Sequence, residues 1–113
     1  SVGALNVKRL FPEAVLIFII PPSAQELERR LRQRGTEDER TISARLAKAS
    51  SEAEGVERYD YIVINDTVER CAEQINEIAS GAQAVREECS TVNNINLINN
   101  IREQLKLYSE GDK

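Results

Sequence analysis

The sequence has no histidine, no methionine and no tryptophan, and only two cysteines. Cys71 and Cys89 stand in unlike surroundings, and without histidine they offer no zinc-ligand spacing. No metal site is expected, and the sparse thiols fit a reduced, cytoplasmic chain. No apolar run approaches the roughly 20 residues of a membrane span. The longest, Ala14 to Ile20, is cut off by Pro21 and Pro22. Nothing at the N-terminus reads as a signal peptide. A basic tail is also missing and the net charge is −4, which argues against nucleic acid as a partner. With no methionine, the sequence does not begin at a start codon, and its opening "SVGALNVKRL" reads as the inside of a helix. A piece of a longer protein is therefore expected.

What is present is ordinary for a globular chain: 113 residues, 41% hydrophobic and 30% charged. That length favours one domain with a core of moderate size. Residues Ala4 to Phe11 read as a helix that Pro12 stops. Ala14 to Ile20 is an unbroken, β-branched run without alternation, the pattern of a strand buried on both faces of a parallel sheet. Tyr61 to Ile64 reads as a second such strand.

Between them lie two helices. Ser23 and Glu26 make a capping box that opens the first, and Gly35 ends it. Thr36 and Glu39 repeat the box and open a second helix to about Glu52, with Ile42, Leu46 and Ala49 as its apolar stripe. After the second strand, Asp66 and Glu69 form a third box. Val68, Cys71, Ala72, Ile75, Ile78 and Ala79 then give an amphipathic helix. Cys71 reads there as a small core residue rather than a nucleophile. The asparagine-rich stretch from Gly81 reads as a loop or a frayed helix. Asn96 to Tyr108 reads as a terminal helix with Ile98, Ile101 and Leu105 on one face, and Ser109 to Lys113 as disordered. Two buried strands joined by helices should be parallel neighbours. Two strands are too few for an independent doubly wound sheet.

One stretch stands out. Arg29 to Leu46, "RRLRQRGTEDERTISARL", concentrates six arginines in an acidic chain. Arg29, Arg30 and Arg32, beside Glu26 and Glu28, read as a solvated helix face, and Arg40 as surface.

The order of the motifs carries a resemblance. "FPEAVLIFIIPPS", "LERRLRQRGTEDERTISARL" and "YDYIVINDTVERCAEQI" together resemble the C-terminal half of guanylate kinase, over roughly Gly3 to Ala79. From Ser80 onward no resemblance is carried. The family belongs to the P-loop nucleoside monophosphate kinases and transfers phosphate from ATP to GMP. The fold so implied is α/β. It is part of a P-loop kinase parallel sheet flanked by helices over residues 1–80, with a lid at about 33–46 and a helical or partly disordered tail at 81–113. The resemblance implies that Arg34 and Arg45 are lid arginines with a catalytic role at the ATP phosphates, and that Asn65 helps bind adenine. ATP and Mg²⁺ would serve the complete enzyme, with GMP as acceptor. Guanidinium groups suit this work because their charge is permanent and their planar fork matches phosphate oxygens.

Departures are equally plain. None of Gly3, Gly35, Gly55, Gly81 and Gly111 is followed by lysine, so the sequence holds no G-x-x-x-x-G-K-[ST] loop. The GMP-binding segment is missing too, and Arg40 stands where the family more often has an acidic residue. The 113 residues alone are expected to be inactive and open to self-association. The competing reading is a guanylate-kinase-like module that binds proteins without catalysis. Retention of both lid arginines and Asn65 argues against it.

Overall fold

A computed structural model describes residues 2–35 and 38–111. Helix α1 (Val2–Leu10) leads to strand β1 (Ile17–Ile20), then helices α2 (Ala24–Gln33) and α3 (Glu39–Ala53). Strand β2 (Tyr61–Ile64) follows, with helices α4 (Val68–Ser80), α5 (Gln83–Cys89) and α6 (Ile95–Gly111) behind it. The strands pair in parallel, from Ile17 opposite Tyr61 to Ile20 opposite Ile64. A parallel pair needs a long crossover, which α2 and α3 supply.

The two faces of the sheet are covered unequally. On one face Ile20 and Ile62 join Ala24, Ala53, Val56, Ile98, Ile101 and Leu105 in the main core. On the other, Val63 packs under α4 and α5 with Cys71, Ile78 and Cys89. Val63 is fully buried, yet Ile19, its partner in register, is 49% exposed. Val15 is exposed as well. The expectation of a first strand buried on both faces is thus corrected. Among the described residues α4 covers β2. Ile17, on the same face as Ile19, still packs against the α4–α5 cluster, so it is the Ile19 end of that face of β1 that stays open. The strand is also shorter than the apolar run, because Ala14, Val15 and Leu16 precede the ladder.

Helix ends follow side-chain chemistry, with two shifts. Ser23 caps α2 by accepting from the Glu26 N–H at 3.0 Å. Helix α3 starts at Glu39, capped by Asp38, whose Oδ1 accepts from the Thr41 N–H at 2.9 Å. Thr36, the expected cap, lies outside the described residues, as does Glu37. Helix α4 is capped by Thr67, which accepts from the Arg70 N–H at 3.1 Å, and not by Asp66. The reason is local: the Asp66 N–H turns back to the Ile64 carbonyl at 2.9 Å, so helical geometry begins one residue later.

The tail is built into the core. Ile98, Ile101 and Leu105 are each no more than 1% exposed. Arg102 holds Glu57 through two bonds, at 2.7 and 2.8 Å. Where the sequence suggests a loop or frayed helix, α5 forms, and its Cys89 is buried. Helix α6 continues through Gly111, past the expected onset of disorder at Ser109; Asp112 and Lys113 lie outside the described residues. No described helix is long and apolar enough to cross a membrane.

Candidate functional site

Helices α2 and α3 pack on α6 through Ala24, Ala49 and Ala53 and share a small core of their own, Leu31, Ile42 and Leu46. Leu27 touches both this cluster and the main core, so it joins the pair to the body. Gly35 makes the turn after α2 with φ +67°, a left-handed conformation that a side chain would strain. Arg34 is the C-cap residue just before it. Arg32 bridges the turn by pairing with Glu39 at the start of α3.

At the base of this pair a cavity of about 300 Å³ opens at the carboxyl ends of both strands. Its walls are apolar: Phe18, Ile20, Leu27, Leu31 and Leu105. Its polar lining is Arg30, Arg34, Glu52 and Asn65. Ligands in parallel α/β sheets bind in this position, outside the strand ends.

Asn65 and Arg34 thus face one cavity although they come from different elements. The Asn65 N–H donates to the Ile20 carbonyl at 2.8 Å, which extends the ladder by one step and fixes the residue at the strand end. Its side-chain amide makes no hydrogen bond among the described residues, nor does the Arg34 guanidinium, which is exposed. Both have donors to offer a ligand. Arg45 is placed differently. It lies in the interior of α3, exposed, and is not among the residues lining the cavity. Arg40 is likewise exposed.

Arg30 is the residue that sequence reasoning missed. Its Nη1 donates to the Asn65 carbonyl at 2.8 Å and its Nη2 to the Asp66 carbonyl at 3.1 Å. Its Nε binds Glu26 at 3.0 Å. The solvated-face reading therefore holds for Arg29, 58% exposed beside Glu26, and fails for Arg30, which ties α2 to the end of β2. A signal existed: Arg30 and Arg34 are four apart and share one helix face. The two cations beside Glu26 hold its carboxyl far below the usual range, at about 2. The hydrogen bond from Arg29 is the main cause, partly opposed by desolvation and reinforced by Arg30.

Among the described residues no group of three or more acidic, histidine or cysteine side chains could hold a metal ion. The set of donors is instead one for anions and for a flat, partly polar ring: guanidinium groups, an amide and apolar walls.

The family model for guanylate kinase matches residues 2–82. The chain belongs to the guanylate kinase family. A guanylate kinase of Caldanaerobacter subterraneus subsp. tengcongensis is 45% identical over 102 residues, which is 90% of this chain and 47% of that relative. One from Bacillus anthracis is 47% identical over 85 residues, 75% of this chain and 42% of the relative. One from Chromobacterium violaceum is 54% identical over 68 residues, 60% of this chain and 32% of the relative. The chain therefore spans less than half the length of these guanylate kinases. An alignment of 102 residues in a chain of 113 runs past residue 100 wherever it begins. The likeness thus extends into the tail, which corrects the expectation that it stops at Ser80.

Proposed function

We propose that this chain forms the C-terminal half of an enzyme that moves a phosphoryl group from ATP to GMP, giving ADP and GDP. The observation that carries the reading is the meeting of Arg34 and Asn65 on one cavity at the carboxyl ends of β1 and β2. Phosphoryl transfer spreads negative charge over the moving group, and the protein contributes position and positive charge more than covalent chemistry. Arg34 supplies charge at the end of a short helix beside a glycine turn. Arg45 supplies it from α3 when the α2–α3 pair lies over the phosphates. Asn65 offers an amide to the adenine, with the apolar walls against the ring face. Arg30 holds the Asn65 backbone and the helix that presents Arg34 in fixed relation.

Mg²⁺, when bound with the nucleotide in the complete enzyme, would supply positive charge against the charge that develops in transfer. Among the described residues none form a cage for it, and none of the roles above runs through the metal. A phosphate-cradling loop is likewise outside these 113 residues, so the reading assigns it to a preceding half.

The test joins residues 1–113 to the N-terminal half of the Caldanaerobacter relative and follows ADP release with ATP and GMP. The hybrid should turn over at about 1–100 per second, the range of such kinases. The 113 residues alone should show no turnover. A folded but inactive hybrid, or an active isolated chain, would overturn the reading.

A further inference from the structure

Helix α6 lies outside the stretch that the family model matches, yet one of its side chains reaches the first residue of α2. The Gln104 Oε1 accepts from the Ala24 N–H at 3.1 Å. A helix leaves its first N–H groups without partners inside the helix. Ser23 takes one of them, at Glu26. The Ala24 group is different, because Ala24 is fully buried and its N–H is not open to bulk water. Gln104 satisfies it from 80 residues away in sequence. The next residue, Leu105, lies in the main core with Ala24 and also walls the cavity.

We propose that Gln104 is a positioning residue for the phosphate-binding arginine, setting through α2 where Arg34 stands. The inference rests on the phosphoryl-transfer reading above. Beside the packing of Ala24, Leu27 and Leu31, long-range hydrogen bonds fix α2 at two points, Gln104 at its start and Arg30 in its last turn. Arg30 is six residues beyond Ala24 and Arg34 four beyond Arg30. At a fixed rise per residue, a shift of the helix start about the Arg30 anchor reaches Arg34 at about two thirds of its size. Displacements of about 1 Å at a reacting centre can cost on the order of 10²-fold in rate. A fraction of that distance is enough to matter, while the hydrogen bond itself contributes only modestly to stability.

The experiment uses an active full-length guanylate kinase that carries this chain as its C-terminal half. Gln104→Leu and Gln104→Glu are each made with and without Arg34→Ala. Gln104→Leu should lower kcat about tenfold, within the range such misplacements produce, with the KM for GMP little changed. Gln104→Glu should restore the rate, since a carboxylate accepts the same bond and suits a helix N-terminus. In the Arg34→Ala background, Gln104→Leu should cost nothing further, because coupled residues fail to add. Should Gln104→Leu prevent folding, Gln104→Asn, too short to reach Ala24, is read in the same cycle with the same expected loss. A lowered Tm with unchanged kcat overturns the proposal, and so does an equal loss in both backgrounds. A silent Arg34→Ala overturns the phosphoryl-transfer reading and this proposal with it. A costly Arg34→Ala with additive Gln104→Leu overturns the proposal alone.

Discussion

The Arg30 guanidinium donates to the backbone carbonyl of Asn65 at 2.8 Å, across 35 residues of sequence. One side chain therefore couples the helix that carries Arg34 to the strand end that carries Asn65. Hydrogen bonds from a charged donor contribute about 1.5–3 kcal/mol when well formed. Arg30→Ala should thus lower the unfolding free energy by about 1–3 kcal/mol, allowing for its partial exposure. Urea denaturation measures this directly. A loss within about 0.5 kcal/mol, the usual surface value, would mean that the tie is idle.

Acidification should weaken the fold at Glu26, Asp38 and Glu57. The Glu26 carboxyl is held at about 2, against an ordinary value of 4.5, chiefly by the hydrogen bond from Arg29. Glu57 is lowered by its hydrogen bond from Arg102, and Asp38 by the Thr41 N–H. A folded-state value below the unfolded one means that stability is present above the unfolded pKa and lost as pH falls through the folded one. Tm should be steady above about pH 5 and fall progressively toward about pH 2. Glu26→Gln should flatten part of that slope. An unchanged slope in the variant would show that the Glu26 cluster does not contribute.

Particular residues show what the sequence made legible. Tyr61 to Ile64 was readable as a strand to the residue, because a short β-branched run bounded by polar residues has few alternatives. The caps were legible only to within a residue or two. "NDT" and "TED" each offer more than one capping side chain, and the choice is made by backbone contacts such as the Asp66 turn to Ile64. Ile98, Ile101 and Leu105 announced their face by spacing, whereas α5 did not, having no side-chain cap at Ala82. At the site, motif order pointed to Arg34, Arg45 and Asn65. Arg30 was hidden because its local partner, Glu26, makes it look like an ordinary surface pair. Its decisive bonds go to residues 35 and 36 positions away, which no local pattern encodes.

Association of the isolated 113 residues should follow from the uncovered side of β1. Leu10 and Phe11 are 68% and 65% exposed, and Ile19 is half exposed on the strand itself. Among the described residues β1 pairs with β2 alone, so its other edge is open, and an open strand edge with apolar neighbours is a template for pairing with another chain. Sedimentation should show mass rising with concentration, and Ile19→Lys should suppress the rise by placing a charge on the strand. A wild-type monomer that ignores dilution would show that this edge is inert.

The sharpest test concerns Arg34 and Arg45 in a full-length enzyme carrying this chain. Groups that meet the transferring phosphoryl act mostly in the transition state. Arg34→Ala and Arg45→Ala should then lower kcat and kcat/KM together, leaving the KM for GMP comparatively unchanged. The loss for one such arginine is on the order of 10³-fold, by analogy with arginine fingers. Arg34→Lys should recover only part of it, since a point charge cannot reproduce the fork. Arg29 serves as the control, because it is exposed and its carboxylate partner keeps a second cation in Arg30. Arg29→Ala should change the rate by less than about twofold, as exposed charges contribute little. Steady-state kinetics with circular dichroism as a folding check decides the matter. If Arg34→Ala and Arg29→Ala have equal effects, the arginines act through general charge and not at the phosphate. If only Arg45→Ala is silent, its position outside the cavity is also its position during turnover, and the phosphate role belongs to Arg34 alone.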